Sequence, residues 1–230
     1  MVSARASRAL SRSRQDYLKV LHDLGGEGPV TVTSLARRLG VSAPSVTNML
    51  ARLAEEKLVR LHHRGAAQLT AAGTREAIEM VRRHRILETF LVQVLGLDWA
   101  DVHADAEVLE HHVSDRVLEA IDRLCGHPSE DPHGHLIPDR DGRLERRALV
   151  PLASLRPGQR AVVREIRDRE ARRMARWKQA GLVPGAEVRM RDVRESDGVF
   201  EIEVGGSAFV SAGEAVDGVL VQPAREGNDS

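Results

Sequence analysis

One cysteine, Cys125, stands in 230 residues. No disulfide can close within the chain, and a zinc module built on several thiolates is excluded. Aromatics make up 3% of the residues, so a core must be assembled mainly from Leu, Val, Ala and Ile. No stretch approaches the roughly 18 uncharged apolar residues of a membrane span. The Ser-, Ala- and Arg-rich start, residues 1–14, lacks the apolar centre of a secretory signal. A cytoplasmic protein with no membrane partner is expected. Net charge is lacking too, since 34 Lys+Arg balance 34 Asp+Glu. That balance hides a segregation. Residues 1–75 carry 12 basic and 5 acidic side chains, residues 76–150 carry 9 and 16, and residues 151–230 carry 13 of each. A basic first third suits a polyanion, and an acidic middle third suits a cation.

What is present supports a packed protein of more than one domain, with 42% apolar and 30% charged residues. Arg5, Arg8, Arg12 and Arg14 make the start a disordered or DNA-touching arm. From Asp16, the apolar positions Tyr17, Leu18, Val20, Leu21 and Leu24 have helical period, and Gly25-Gly26 ends it. A short helix follows, with Thr33 as its expected cap and Gly40 as its end. Ser42 is a natural N-cap for the next helix, where Pro44 is tolerated only in the first turn. Helix, tight Gly-containing turn, helix is the helix-turn-helix layout. Val46, Met49, Leu50 and Leu53 face the core, leaving small polar groups that can reach base edges or phosphates in a major groove. Arg37, Ser42, Pro44, Ser45, Thr47, Asn48, Arg52 and, on the following hairpin, Arg60 are the candidate DNA contacts. The hairpin around His62-His63-Arg64-Gly65-Ala66 reads as a wing, with its histidines in solvent.

The middle third carries the chemistry. His103, Glu107, Glu110 and His111 sit at i, i+4, i+7 and i+8, one face of a helix. Two imidazoles and two carboxylates with no thiolate suit Mn, Fe, Co, Ni or Zn. His84 and Glu88 repeat the i, i+4 pairing on the preceding long helix, and two such helices can close a metal site between them. The alternative is a solvated polar face. His127-Pro128-Ser129-Glu130-Asp131-Pro132-His133-Gly134-His135 resembles a ligand set by composition, but its prolines and glycine give no regular spacing, and it is read as a structured loop. From Pro151 the texture changes to short strands with Gly-rich turns, a small barrel containing one helix from Glu170 to Ala180. Residues from Arg225 read as a frayed tail.

A winged helix, two metal-facing helices and a small barrel resemble the diphtheria-toxin-repressor and manganese-transport-regulator family, from about Asp16 to Val221. The likeness is carried by Arg83-His84-Arg85-Ile86-Leu87-Glu88, by Val102-His103 with Glu107, Glu110 and His111, and by Asp131-Pro132-His133-Gly134. Leu155-Arg156-Pro157-Gly158 and Gly181-Leu182-Val183-Pro184-Gly185 are similar to the SH3-like domain of the iron-type members and of FeoA proteins. The implied fold is mainly α with small β. It comprises an N-terminal winged helix-turn-helix (1–75), a helical metal-binding and dimerisation domain (76–147) and a C-terminal SH3-like β-barrel (148–230). The resemblance implies a primary metal position at Asp16, Glu107, Glu110 and His111, and an ancillary one at His84, Glu88 and His103. An ungapped alignment of the barrel adds Glu165 and Asp168 to the ancillary set. Asp16 and Glu107 stand where iron-type members carry methionine and cysteine, and replacing sulfur by carboxylate favours the harder Mn(II) over softer competitors. Lys19 stands where the manganese type has a further acidic ligand, which speaks against that type's closely spaced metal pair. The function so implied is a homodimeric, Mn(II)-dependent repressor of metal-uptake genes. It would bind double-stranded DNA at a palindromic operator and act on no small-molecule substrate. An Fe(II)-responsive regulator is the alternative within the family. A di-metal carboxylate enzyme and a metal-independent winged-helix regulator are the alternatives outside it.

Overall fold

Hydrophobic periodicity and caps account for most element boundaries. The computed structural model describes residues 11–25, 28–144, 147–168, 170–194, 198–212 and 215–224. Arg5, Arg8, Gly26 and the tail from Arg225 lie outside the described residues. The chain divides into two compact units, residues 1–83 with 138–143, and residues 84–137 with 144–230. The division falls within one helix, α4 (Ala71–Gln93).

In the first unit, α1 (Arg12–Gly25), α2 (Val32–Leu39) and α3 (Ala43–Glu55) precede an antiparallel hairpin, β1 (Val59–Leu61) and β2 (Ala67–Leu69). The helices bury Leu18, Leu21, Leu35, Val46, Leu50 and Leu53 together with Val59 and Ala67 of the hairpin. The cap of α2 differs from the expectation. Thr31, not Thr33, takes the role, its hydroxyl accepting from Ser34 N–H at 3.2 Å. The helix already begins at Val32, which places Thr33 inside its first turn. Gly40 ends α2 in the left-handed region at φ 66°, and Ser42 caps α3 through Ser45 N–H. Val30 and Ala67 form a further bridge that ties the wing to the entry of α2.

The second unit holds the rest of α4 (Ala71–Gln93), then α5 (Val102–Leu109), α6 (Asp115–Leu124) and a six-stranded antiparallel sheet. Its strands are β3 (Val150–Pro151), β4 (Arg160–Ile166), β5 (Glu187–Arg194), β6 (Val199–Val204), β7 (Ser207–Ala212) and β8 (Val219–Pro223), in the order β3-β8-β4-β5-β6-β7. Helix α7 (Ala171–Gln179) lies between β4 and β5 in the chain. The barrel core is mainly aliphatic, and within it the Trp177 ring N–H donates to the Ala215 carbonyl at 2.7 Å. The two-residue β3 carried no alternating pattern in the sequence. Its pairing with β8 defines it. In β4 a bulge between Val163 and Glu165 shifts the register against β8, and such an extra residue re-aims the side chains beside it.

The loop after α6 docks on this bulge. Ile166 N–H donates to the His133 carbonyl at 2.9 Å. Gly134 adopts φ +83°, and a Cβ there would lie 1.9 Å from the Arg164 carbonyl oxygen. Arg85 on α4 donates to the Leu136 carbonyl, and Arg147 pairs with Glu130. Gly134→Ala should therefore lower stability by about 3 kcal/mol, since it adds left-handed strain to a backbone collision. Gly158→Ala, also at positive φ (+87°) but with nothing within 4 Å, should cost only about 1 kcal/mol. Thermal unfolding of the metal-free variants checks this, and equal losses would contradict the docking role of Gly134.

Candidate metal centre and DNA-reading surface

Helical spacing places His84 one turn before Glu88 on α4, and α5 brings His103 to them. His84 Nε2 lies 2.9 Å from Glu88 Oε1 and 2.9 Å from His103 Nδ1, and His103 Nδ1 lies 3.0 Å from Glu88 Oε1. Ligands at right angles around one ion, each bonded at about 2.1 Å, are separated by about 3 Å. The three atoms fit that spacing.

Tautomers sharpen the fit. His84 Nδ1 is 2.6 Å from Glu110 Oε2. An ionised carboxylate only accepts, so Nδ1 carries the proton and Nε2 of the neutral ring presents a lone pair toward Glu88 and His103. The carboxylate of Glu88 is 3% exposed, and acceptors crowded there require positive charge. Burial alone would raise the pKa of Glu88. Without metal, a protonated His84, with hydrogen bonds from His103, His133 and His84, outweighs it and holds the carboxyl well below its ordinary value. His103 Nε2 is buried without a well-formed hydrogen bond, although Glu107 Oε1 lies 3.2 Å away.

The sequence placed His103, Glu107, Glu110 and His111 on one helix. The structure ends α5 at Leu109, so Glu110 is its C-cap and His111 follows it. Glu110 is buried and lies 3.6 Å from His111 Nε2 through its other oxygen. Glu107, more exposed, lies beside His103. Glu110 thus faces His84 with one oxygen and His111 with the other, so the two expected ligand sets share a hydrogen bond. Asp16 is half-buried on α1 of the first unit, and Lys19 one turn later is buried.

On the DNA-reading side, Arg37, Ser42, Pro44, Ser45, Thr47, Asn48, Arg52 and Arg60 are all exposed. Their availability differs. The Ser42 hydroxyl caps α3 and lies 2.9 Å from that of Ser45, while Thr47 donates to the Ala43 carbonyl at 3.1 Å. Two adjacent segments of the chain match "Iron dependent repressor, N-terminal DNA binding domain" (residues 9–67) and "Iron dependent repressor, metal binding and dimerisation domain" (residues 70–139), and a FeoA domain matches residues 150–222. The iron-dependent repressor IdeR of Mycobacterium leprae is 32% identical over 185 residues, covering 75% of this chain and 80% of that protein. The chain belongs to the family of metal-dependent, DNA-binding transcriptional repressors. The transcriptional regulator MntR of Escherichia coli O6:H1 is 42% identical over 107 residues, 46% of this chain and 68% of its own. A solved manganese-dependent transcriptional repressor in complex with manganese superposes with a TM-score of 0.85 at 37% identity, covering 92% of this chain and all of that one.

Within this repressor, the barrel residues expected in the ancillary set, Glu165 and Asp168, have further polar neighbours. Glu165 faces His135, its Oε1 3.7 Å from Nε2, and it pairs with Arg167. Asp168 accepts from Glu170 N–H at 2.7 Å and pairs with Arg173 at 3.0 Å. The bulge in β4 and the start of α7 account for these directions. Conversely, Asp131, His133 and His135 offer ligand atoms within 4.8 Å of one another. Sequence reading passed over them because prolines break any helical or strand spacing. The alternation of Asp131, His133 and His135 was the available signal. The lone Cys125 caps α6, and burial pushes its thiol up.

His84→Ala removes one donor from the His103 set and the hydrogen-bond partner of Glu110. Loss of such an outer partner typically weakens a metal site about 10–100-fold. Titration with Mn(II) should therefore show weaker binding at both sets. An unchanged affinity at the Glu110–His111 set would disprove the link.

Proposed function

We propose that this repressor responds to Mn(II), with Asp16, Glu107, Glu110 and His111 as primary ligands and His84, Glu88 and His103 as ancillary ones. Glu165 and Asp168 act from the barrel as outer partners rather than direct ligands. The observation that carries this reading is the convergence of His84 Nε2, Glu88 Oε1 and His103 Nδ1 within 2.9–3.0 Å. Imidazole and carboxylate donors without thiolate favour Mn(II), and Fe(II) is the alternative within the same donor class. When bound, the cation supplies positive charge to carboxylates that burial otherwise disfavours.

The remaining steps belong to the chain. Segment 1–75 reads DNA, 76–147 binds metal and dimerises, and 148–230 forms the SH3-like domain. Completing a ligand set favours whichever arrangement supplies all its donors, and that differential affinity is the switch. Val117 and Leu124, seven residues apart on α6, are exposed at 49% and 65%, which supports a second copy of the chain as their partner. In a dimer the two α3 helices enter successive major grooves about one DNA turn apart, which suits a palindromic operator in metal-uptake genes. The exposed Pro44, Ser45, Asn48 and Arg52 read bases, and Arg37 and Arg60 hold phosphates.

Asp16→Ala and Glu110→Ala should lose Mn(II)-stimulated DNA binding in a gel-shift assay while keeping a wild-type circular-dichroism spectrum. Retained stimulation would sink the mechanism. Arg60→Ala should weaken binding to all sequences alike and lower the salt slope by about 0.9 for each phosphate no longer neutralised. A sequence-selective loss would reassign it to base reading.

A further inference from the structure

Glu88 presents two oxygens, and the His84–His103 set uses one. The other, Oε2, lies 3.5 Å from His133 Nδ1. His133 Nε2 is 2.7 Å from the Trp99 carbonyl oxygen. A carbonyl only accepts, so Nε2 carries a proton, and Nδ1 meets Glu88 as a second N–H in the imidazolium or as a lone pair once that proton leaves. His135 lies one step on. His135 Nε2 faces Glu165 Oε1 at 3.7 Å, and Nδ1 lies 3.0 Å from Asp131 Oδ2. Nδ1–H donates to Asp131 in the metal-free chain, and with that proton gone the nitrogen offers a lone pair beside the carboxylate.

Loop architecture explains only half of Asp131. Its Oδ1 accepts the N–H groups of His133 and His135 at 2.8 and 3.0 Å, which shapes the turn. Its Oδ2 is left to His135 and to Arg85, whose Nε is 3.9 Å away. The side chains of Asp131 and His133 are 1% and 5% exposed, and that of His135 is 24% exposed, a route in from solvent. Asp131, His133 and His135 thus offer ligand atoms within 4.8 Å of one another, and His133 Nδ1 brings that set to Glu88 Oε2.

We propose that Glu88 bridges two cations. One sits on His84, Glu88 Oε1 and His103, and a second sits on Glu88 Oε2, His133 Nδ1, Asp131 and His135. The second position takes a divalent ion of hard-to-borderline class, Mn(II) or Zn(II), because its donors are two carboxylates and two imidazoles. Glu165 orients the His135 ring from outside, as outer carboxylates do for ligating histidines. This pair differs from the one that Lys19 argues against, which would lie at the primary position. It rests on reading His84, Glu88 and His103 as a metal site. Since Ile166 N–H holds the His133 carbonyl, the second ion would fasten the loop at the β4 bulge.

The experiment uses the full-length, metal-stripped chain loaded with Mn(II). Bound ions are counted by equilibrium dialysis, and the pair is detected by low-temperature EPR. Wild type should bind one ion per protomer more than His135→Ala or His135→Gln, and it alone should show an exchange-coupled Mn(II) pair. The metal-free variants should melt with wild type, because the N–H bonds to Asp131 Oδ1 survive. Equal counts in all three proteins, or no coupled signal at saturation, overturn the pair. If Glu110→Ala still removes an ion in that case, metal dependence stands and the bridge alone falls. If no protein binds Mn(II), both fall.

Discussion

The carboxylate of Glu88 is the constraint around which the second unit is built. It is almost fully buried, and three histidines surround it from α4, α5 and the loop after α6. A buried carboxylate persists only if opposite charge and hydrogen bonds offset its lost hydration. The three rings supply both. Burial alone would lower the pKa of His133. The bond and charge of Glu88, with Asp131 and the Trp99 carbonyl, outweigh this and leave it raised. In the metal-free chain protons can meet that need, and in the loaded repressor cations can. The same electrostatic demand thus links folding to metal binding.

Around this centre, neighbouring groups pass the constraint outward. His84 hands one nitrogen to Glu88 and the other to Glu110, which in turn faces His111. On the opposite side, His133 reaches the Trp99 carbonyl with its ring and β4 with its own carbonyl. A change at any one of these groups alters proton positions at the next. Such a chain gives a metal regulator a physical means of making its sites depend on one another.

The winged-helix unit follows a different logic. Its small polar residues divide between holding the helix and reading DNA, with Ser42 and Thr47 engaged locally and Asn48 and Arg52 presented to solvent. Lys19 buried on α1 shows that this unit too encloses an ionisable side chain. Among the described residues no helix is long and apolar enough to cross a membrane.

Local rules made much of this legible in the residues themselves. Period and caps located α1 to α4, α7 and most barrel strands, because apolar spacing and the capping chemistry of Gly40 and Ser42 act within a few residues. The i, i+4 pair His84 and Glu88 could be read in the same way. Tertiary structure decided what local spacing cannot encode. It ended α5 at Leu109, leaving Glu110 at the helix end to face His84. It turned Glu165 toward His135 through a bulge that depends on β8. It also gathered Asp131, His133 and His135, whose positions follow from a left-handed Gly134 pressed against the Arg164 carbonyl. Those outcomes depend on groups 26 to 58 residues apart in the chain, where packing rather than periodicity sets direction.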